Sequence, residues 1–159
     1  MSDSRNLDDL VSPGDVLMLT TTSPELAARP VTSAVVEDGL LRFLVSSGTA
    51  WVEPLTRTHD TSPSPVGLTL VERGSYLTLT GYAVAEQDAE LAARLWAPAA
   101  KAFFTGPDDP DIRVLTVEVL RGEWWDTPAT GVGRLVALAT ALVTDDESKA
   151  GSSGPVDAT

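Results

Sequence analysis

Residues 75–126, SYLTLTGYAVAEQDAELAARLWAPAAKAFFTGPDDPDIRVLTVEVLRGEWWD, constrain this chain more than any other stretch. Tyr76 to Ala85 alternates apolar and polar residues, the period of a strand with one buried face. Gly81 inside that run marks a bulge or a close approach of two backbones. Asp88 opens an amphipathic helix that carries Leu95-Trp96, and Pro98 kinks or ends it. A Gly-Pro-Asp-Asp-Pro loop follows. A strand from Ile112 to Val119 and a second from Arg121 to Trp125 then close on Trp124-Trp125-Asp126. Helices this few and this short cannot cover both faces of a parallel sheet, so Rossmann and TIM architectures are disfavoured.

The upstream half has the same β character. Asn6 to Val11 reads as a short helix stopped by Pro13-Gly14. Val16 to Thr22 and Val31 to Glu37 read as strands, and Asp38-Gly39 is a two-residue hairpin signal into a return strand, Leu40 to Ser46. Thr49 can cap a short helix reaching about Thr56. A polar loop from His59 to Pro65 leads to a strand from Val66 to Glu72, with Arg73-Gly74 as the next turn. Val132 to Leu142 reads as an apolar helix. The pattern predicts one domain over residues 1–144, mainly β with peripheral helices and built as an antiparallel barrel. Residues 145–159, rich in Gly, Ser and Asp, read as a disordered tail.

Composition removes several functions. The formal net charge is −12, so a phosphate backbone or an anionic membrane is a poor partner. The chain has no cysteine, which excludes disulfides, thiol catalysis and thiolate metal sites. Its one histidine, His59, stands beside Asp60 in a polar loop with no nucleophile or further ligand near it in sequence. Asp108 and Asp109 lie between prolines and read as a solvated turn rather than an acid/base pair. The N-terminus has no basic start followed by an apolar run, and no stretch is long and apolar enough to span a bilayer. The expectation is a cytoplasmic protein that binds a small molecule, with no nucleic-acid or membrane partner.

Two places can hold a phosphate. Arg29 precedes Pro30-Val31 at the entry to a strand. Its guanidinium offers a fork to phosphate oxygens, and Pro30 biases it toward an extended backbone that aims the side chain. Taken alone, it reads first as an exposed arginine before a strand. Leu44-Val45-Ser46-Ser47-Gly48-Thr49-Ala50-Trp51 runs from a strand end into a helix N-terminus, where backbone N–H groups attract anions. Trp51 either stacks on a ligand ring or covers core. Trp125 is divided in the same way between a site and an interface. Trp96 and Phe104 read as core or interface.

In this order, the alternating strand, the Leu95-Trp96 helix, the Gly-Pro-Asp-Asp-Pro loop and the Trp124-Trp125-Asp126 ending resemble the general stress protein 26-like branch of the pyridoxamine 5'-phosphate oxidase-related family, the flavin-binding split barrels. The resemblance implies a six-stranded antiparallel Greek-key split barrel. It also implies a homodimer with flavin sites at the subunit interface, and FMN as the cofactor. On that basis Arg29 and Thr49 contact phosphate, Leu44, Val45 and Ser46 line the ring, and Trp125 closes the site. Pro30, Val31 and Trp51 complete the candidate set.

The chain also departs from the family pattern. Ala50 and Trp51 stand where relatives usually place a cation, and Gly67 stands where they often carry a polar side chain. True pyridoxamine 5'-phosphate oxidases end in a basic, histidine-containing substrate motif. This chain ends in GSSGPVDAT, which argues against pyridoxine phosphate as substrate. The implied activity is that of a general-stress-type oxidoreductase or a flavin carrier. The alternatives are a non-enzymatic dimeric binding protein that has lost its flavin, and a relative using FAD or a deazaflavin.

Overall fold

The computed structural model describes residues 4–57, 62–72, 74–126 and 152–158. In chain order the elements are β1 (Arg5–Asn6), α1 (Leu7–Leu10), β2 (Val16–Thr21), β3 (Ala27–Glu37), β4 (Leu40–Ser46), β5 (Ser64–Glu72), β6 (Ser75–Glu86), α2 (Ala89–Arg94), β7 (Ile112–Asp126) and β8 (Ser152–Asp157). Single 3₁₀ turns span Glu53–Leu55 and Pro98–Ala102. His59, Asp60 and the apolar run Val132 to Leu142 lie outside the described residues. No described helix is long and apolar enough to cross a membrane.

Strands β2 to β7 form a closed antiparallel barrel in the order β7-β4-β3-β2-β5-β6, with β6 pairing back onto β7. Closure follows from the alternation read in the sequence. Leu17 and Leu19 on β2, Leu41 and Phe43 on β4, Leu68 on β5, Leu79 on β6 and Leu115 and Val117 on β7 all point inward and are buried. Each buried side chain of this size stabilises the fold by about 1.5–3 kcal/mol. The Asp38-Gly39 turn has φ of 52° and 75°, the paired left-handed conformation that a two-residue hairpin requires.

The expected break between two C-terminal strands is absent. Ile112 to Asp126 is one continuous strand. A bulge replaces the turn: Thr80 pairs with Arg121 and Gly81 with Val119, so Leu120 is unpaired and 56% exposed. Gly81 permits this because a Cβ there would overlap the Glu118 carbonyl. Gly122, inside the same strand, makes room for Leu79 and Val156.

The helix expected from Thr49 is also absent. Val52, Leu55 and Thr56 donate their amides three residues back, to Thr49, Val52 and Glu53, so the segment is a chain of tight turns. Pro54 has no N–H to return to Ala50, and an α-helix cannot form through it.

The tail expectation needs correction as well. Residues 152–157 form β8, antiparallel to β7 from Glu123 to Asp126. The physical reason lies in β7, whose first half pairs with β4 only as far as Glu118. Beyond that point its free backbone groups need a partner, and β8 supplies one. Val156 is 8% exposed within the barrel core, and Gly39 closes against the Ala158 carbonyl. Arg5 adds a clamp, lying 3.7 Å over the Trp124 ring and 2.8 Å from the Asp126 carboxylate. Outside the barrel, α2 is capped by the Asp88 side chain and packs Ala92 and Leu95 with Phe104, Ile112 and Val114, against the outward Leu44.

Deleting residues 152–159 is expected to lower unfolding stability by about 2–4 kcal/mol, from loss of the buried valine and the β7 ladder bonds. Urea denaturation checks this; a disordered tail predicts an unchanged midpoint.

Candidate functional site

The barrel end formed by the C-terminus of β2 and the N-terminus of β3 brings candidate residues together. Arg29 pairs in register with Leu19, so its side chain shares the inward face. Its Nη1 donates to the Thr21 hydroxyl at 2.7 Å, and Thr21 is 1% exposed. The guanidinium carbon lies 4.7 Å from the centroid of the Trp51 ring. A cation over an indole face contributes about 0.5–1 kcal/mol in a partly exposed setting. No carboxylate pairs with Arg29 among the described residues.

Trp51 is held by the turns around it. The Thr49 amide and hydroxyl both reach the Ser46 carbonyl, at 3.3 and 2.7 Å. Val52 and Leu55 are buried in the barrel core, and the Arg57 amide donates to the Ala85 carbonyl at 2.9 Å. Trp51 therefore both packs against core and presents a ring face to Arg29. The Thr49 hydroxyl proton is spent on Ser46, leaving its oxygen free only to accept.

The remaining candidates are spread over several faces. Val31 points inward and is buried, whereas Pro30 points outward. Along β4, Val45 faces the core and Leu44 faces the α2 cluster, so the side chains of Leu44, Val45 and Ser46 do not share one face. The Ser46 hydroxyl accepts from the Gly48 amide at 3.4 Å. Trp125 is 36% exposed on the outer face of β7, in register with Tyr76 and Ser153. In the barrel order β4 alone stands between β7 and β3, but Trp125 is on the outer face, on the half of β7 beyond its pairing with β4, whereas Arg29 faces inward. Trp96 and Phe104 belong to the α2 cluster, as core.

Two participants were not among the sequence candidates. Thr21 is one, and its role depends on the β2–β3 register. Arg121 is the other. Its Nε donates to the Thr80 hydroxyl at 3.2 Å, and its side chain lies at a trough of about 860 Å³ on the outer face of β6, β7 and β8. Among the described residues, no group of three or more His, Cys, Asp or Glu is placed to hold a metal ion.

The sequence profile described as pyridoxamine 5'-phosphate oxidase like matches residues 2–149. The chain belongs to the pyridoxamine 5'-phosphate oxidase-like family. Solved structures of similar fold agree. A protein named for general stress protein 26 from a Jannaschia species shares 24% identity, over 89% of this chain and 88% of that one, with a TM-score of 0.65. A general stress FMN/FAD binding protein from Xanthomonas citri shares 20% identity over 74% and 83% of the two chains, TM-score 0.63. General stress protein 26 from Bacillus anthracis shares 17% over 70% and 84%, TM-score 0.57. No curated protein matches the sequence. Within the family's split barrel, the Arg29–Trp51 end and the Trp125 face are the two candidate halves of a site.

The Asp108-Asp109 pair is a turn. The Asp109 carboxylate accepts from the Thr105 amide and hydroxyl and from the Asp111 amide, at 2.9, 3.1 and 2.9 Å. These bonds, the Thr105 and Asp111 amides foremost, hold its pKa below the ordinary aspartate value. A depressed pKa means the turn's contribution is complete above the unfolded aspartate's pKa and is lost as pH falls through the folded one. The Thr105 and Asp111 amide NMR signals are expected to titrate with a midpoint below that of an ordinary aspartate. Asp109→Asn removes that inflection.

Proposed function

We propose that this chain is a flavin-binding split-barrel protein that takes FMN and serves as a general-stress-type oxidoreductase or flavin carrier. One observation carries the reading. In a chain of net charge −12, Arg29 is fixed at a barrel end by Thr21 and Trp51 and has no carboxylate partner among the described residues. An oriented, unneutralised guanidinium of this kind is suited to a phosphate. The FMN/FAD binding character of the Xanthomonas citri protein supports the same reading.

When bound, a flavin supplies hydride or single-electron transfer, which needs no catalytic acid or thiol from the protein. The residues of this chain bind and orient. Arg29 meets the phosphate and Trp51 keeps the guanidinium aimed, while the Ser47, Gly48 and Thr49 amides and the Thr49 hydroxyl are spent within the turn and on Asp111. Trp51 therefore replaces a second cation with a support for the first.

The second reading is a dimer that has lost flavin, and the committed Thr49 hydroxyl favours it. FMN titration separates the two. FMN is expected to bind with a visible spectral shift, and Arg29→Gln to weaken it about ten- to a hundredfold, the loss of one charge-assisted bond. No response to FMN, FAD or a deazaflavin leaves the second reading. A response to one of the latter two alone assigns that cofactor instead.

A homodimer is part of the same proposal. The outward positions of β3 from Ala28 to Thr32, β2 from Val16 to Thr20, β5 from Gly67 to Val71 and β6 from Tyr76 to Thr80 hold no charged side chain. Val16, Met18, Val71, Tyr76 and Trp125 are exposed on this face. Two copies carrying −12 each repel, so self-association needs a neutral patch that leaves the charges at the rim. The native mass is expected to be twice the 16.7 kDa chain mass. Tyr76→Lys is expected to shift the population to monomer, as read by light scattering.

A further inference from the structure

We propose that the groove between β7 and β1 is a strand-acceptor site, and that the β8 it holds is exchanged with the β8 of a second copy of this chain. The groove is separate from the flavin reading. Arg29 and Trp51 stand at the end of the barrel where β7 begins, and the groove lies where β7 finishes. It is formed by backbone edges and inward side chains, so it also lies apart from the neutral outer face of β2, β3, β5 and β6.

Three observations converge. The first is that the groove has two backbone walls. β8 is antiparallel to β7 from Glu123 opposite Pro155 to Asp126 opposite Ser152. It is parallel to β1, with Arg5 opposite Val156 and Asn6 opposite Asp157. It is therefore an inner strand, inserted between two others rather than laid on an edge. The walls are joined by contacts that do not involve β8. Leu7 and Val11 bury the start of the chain in the barrel core, and Arg5 reaches the Trp124 ring at 3.7 Å and Asp126 at 2.8 Å. Preformed edges of this kind bind an added strand, with main-chain bonds for affinity and side-chain sockets for specificity.

The second is a socket. Val156 is 8% exposed and enters the core beside Gly122, where a Cβ would come within 3.1 Å of the valine Cβ and would strike Leu79. Gly39 adds a further contact, its backbone closing on the Ala158 carbonyl. One seated valine flanked by ladder bonds fixes the register of β8, since a slip of one residue would turn it out of the core.

The third is the connection. Ser152 lies beside Asp126, a gap that a two-residue turn spans, yet 25 residues separate them in sequence. Fully extended, that length reaches on the order of 80 Å. The groove makes the same contacts whichever copy supplies the strand, so only the connector distinguishes a copy's own β8 from an exchanged one. Within a dimer, a linker of this length offers either strand at a comparable, roughly millimolar effective concentration. Reciprocal exchange then has no contact to lose. The exchange rests on the homodimer reading, whereas the groove does not.

Two full-length single-cysteine variants, Glu123→Cys and Pro155→Cys, test this when mixed, incubated together and oxidised. The two positions are exposed cross-strand partners at a separation that a disulfide can bridge, and the chain has no cysteine of its own. A disulfide between the two variants forms in register only when β8 of one copy sits on β7 of another. The control mixture is Leu40→Cys with Glu118→Cys, partners on β4 and β7 of one barrel. Mass spectrometry of the linked peptides is expected to show at least about tenfold more mixed disulfide than this control, because a seated pair is held at a high effective concentration. Val156→Asp in the Pro155→Cys copy is expected to abolish the excess, and Val156→Ile to keep it. A yield no higher than the control, or an excess that survives Val156→Asp, overturns the exchange. Light scattering on the same samples keeps the two readings apart. A dimer without the mixed disulfide removes only the exchange, and a monomer removes the dimer as well.

Discussion

Strands β6 and β7 run against each other from Ser75 opposite Asp126 to Glu86 opposite Val114, and every other part of the molecule is placed by that ladder. It closes the barrel, because β6 is otherwise an edge carrying a row of unpaired backbone groups. It sets where α2 sits, since the helix follows β6 directly and packs onto the start of β7. It also allows β7 to outrun β4, which creates the ledge that β8 and Arg5 cover. The ladder tolerates its one irregularity, the Leu120 bulge, because Gly81 has no Cβ to strike Glu118. The bulge re-aims the strand so that Arg121, Glu123 and Trp125 share the outer face.

Charge is the second organising constraint. With −12 overall, four of the eight described cations are ion-paired: Arg5 with Asp126, Arg42 and Arg94 with Glu37, Arg57 with Glu86. Arg29 and Arg121 differ, because each is held by a hydroxyl and leaves its charge unneutralised among the described residues. A hydroxyl orients a guanidinium without cancelling it, which is the arrangement an anion site requires. The two lie on different faces of one barrel, so the chain offers one fixed cation at the barrel end and another on the outer sheet.

Much of the fold was legible in the residues. The alternation in Tyr76–Ala85, the Asp38-Gly39 turn and the Asp88 cap are local signals, and each produced the element it announced. Three readings failed where distant groups decided. Val119 and Arg121 read as the end of one strand and the start of another until Gly81 is seen to admit the Leu120 bulge between them. Thr49 resembles a cap until Pro54 is weighed against the turns. The last residues resemble a solvated tail until the unpaired half of β7 is on the page. For the candidate site, Arg29 and Trp51 were named from sequence and do meet. Thr21 and Arg121 were not named, because a threonine opposite an arginine carries no sequence signal until the strand register is known.

The sequence by itself determined the class of this protein, an acidic, cysteine-free antiparallel barrel of the pyridoxamine 5'-phosphate oxidase-like family, because periodicity, turn residues and composition act locally and can be read in one dimension. Only the tertiary structure decided which side chains share a face. A strand reverses its side chains at every residue, so a one-residue bulge or a shift of register moves Leu44, Val45, Arg121 or Trp125 from core to surface. That outcome depends on cross-strand pairing, which the linear order of residues does not contain.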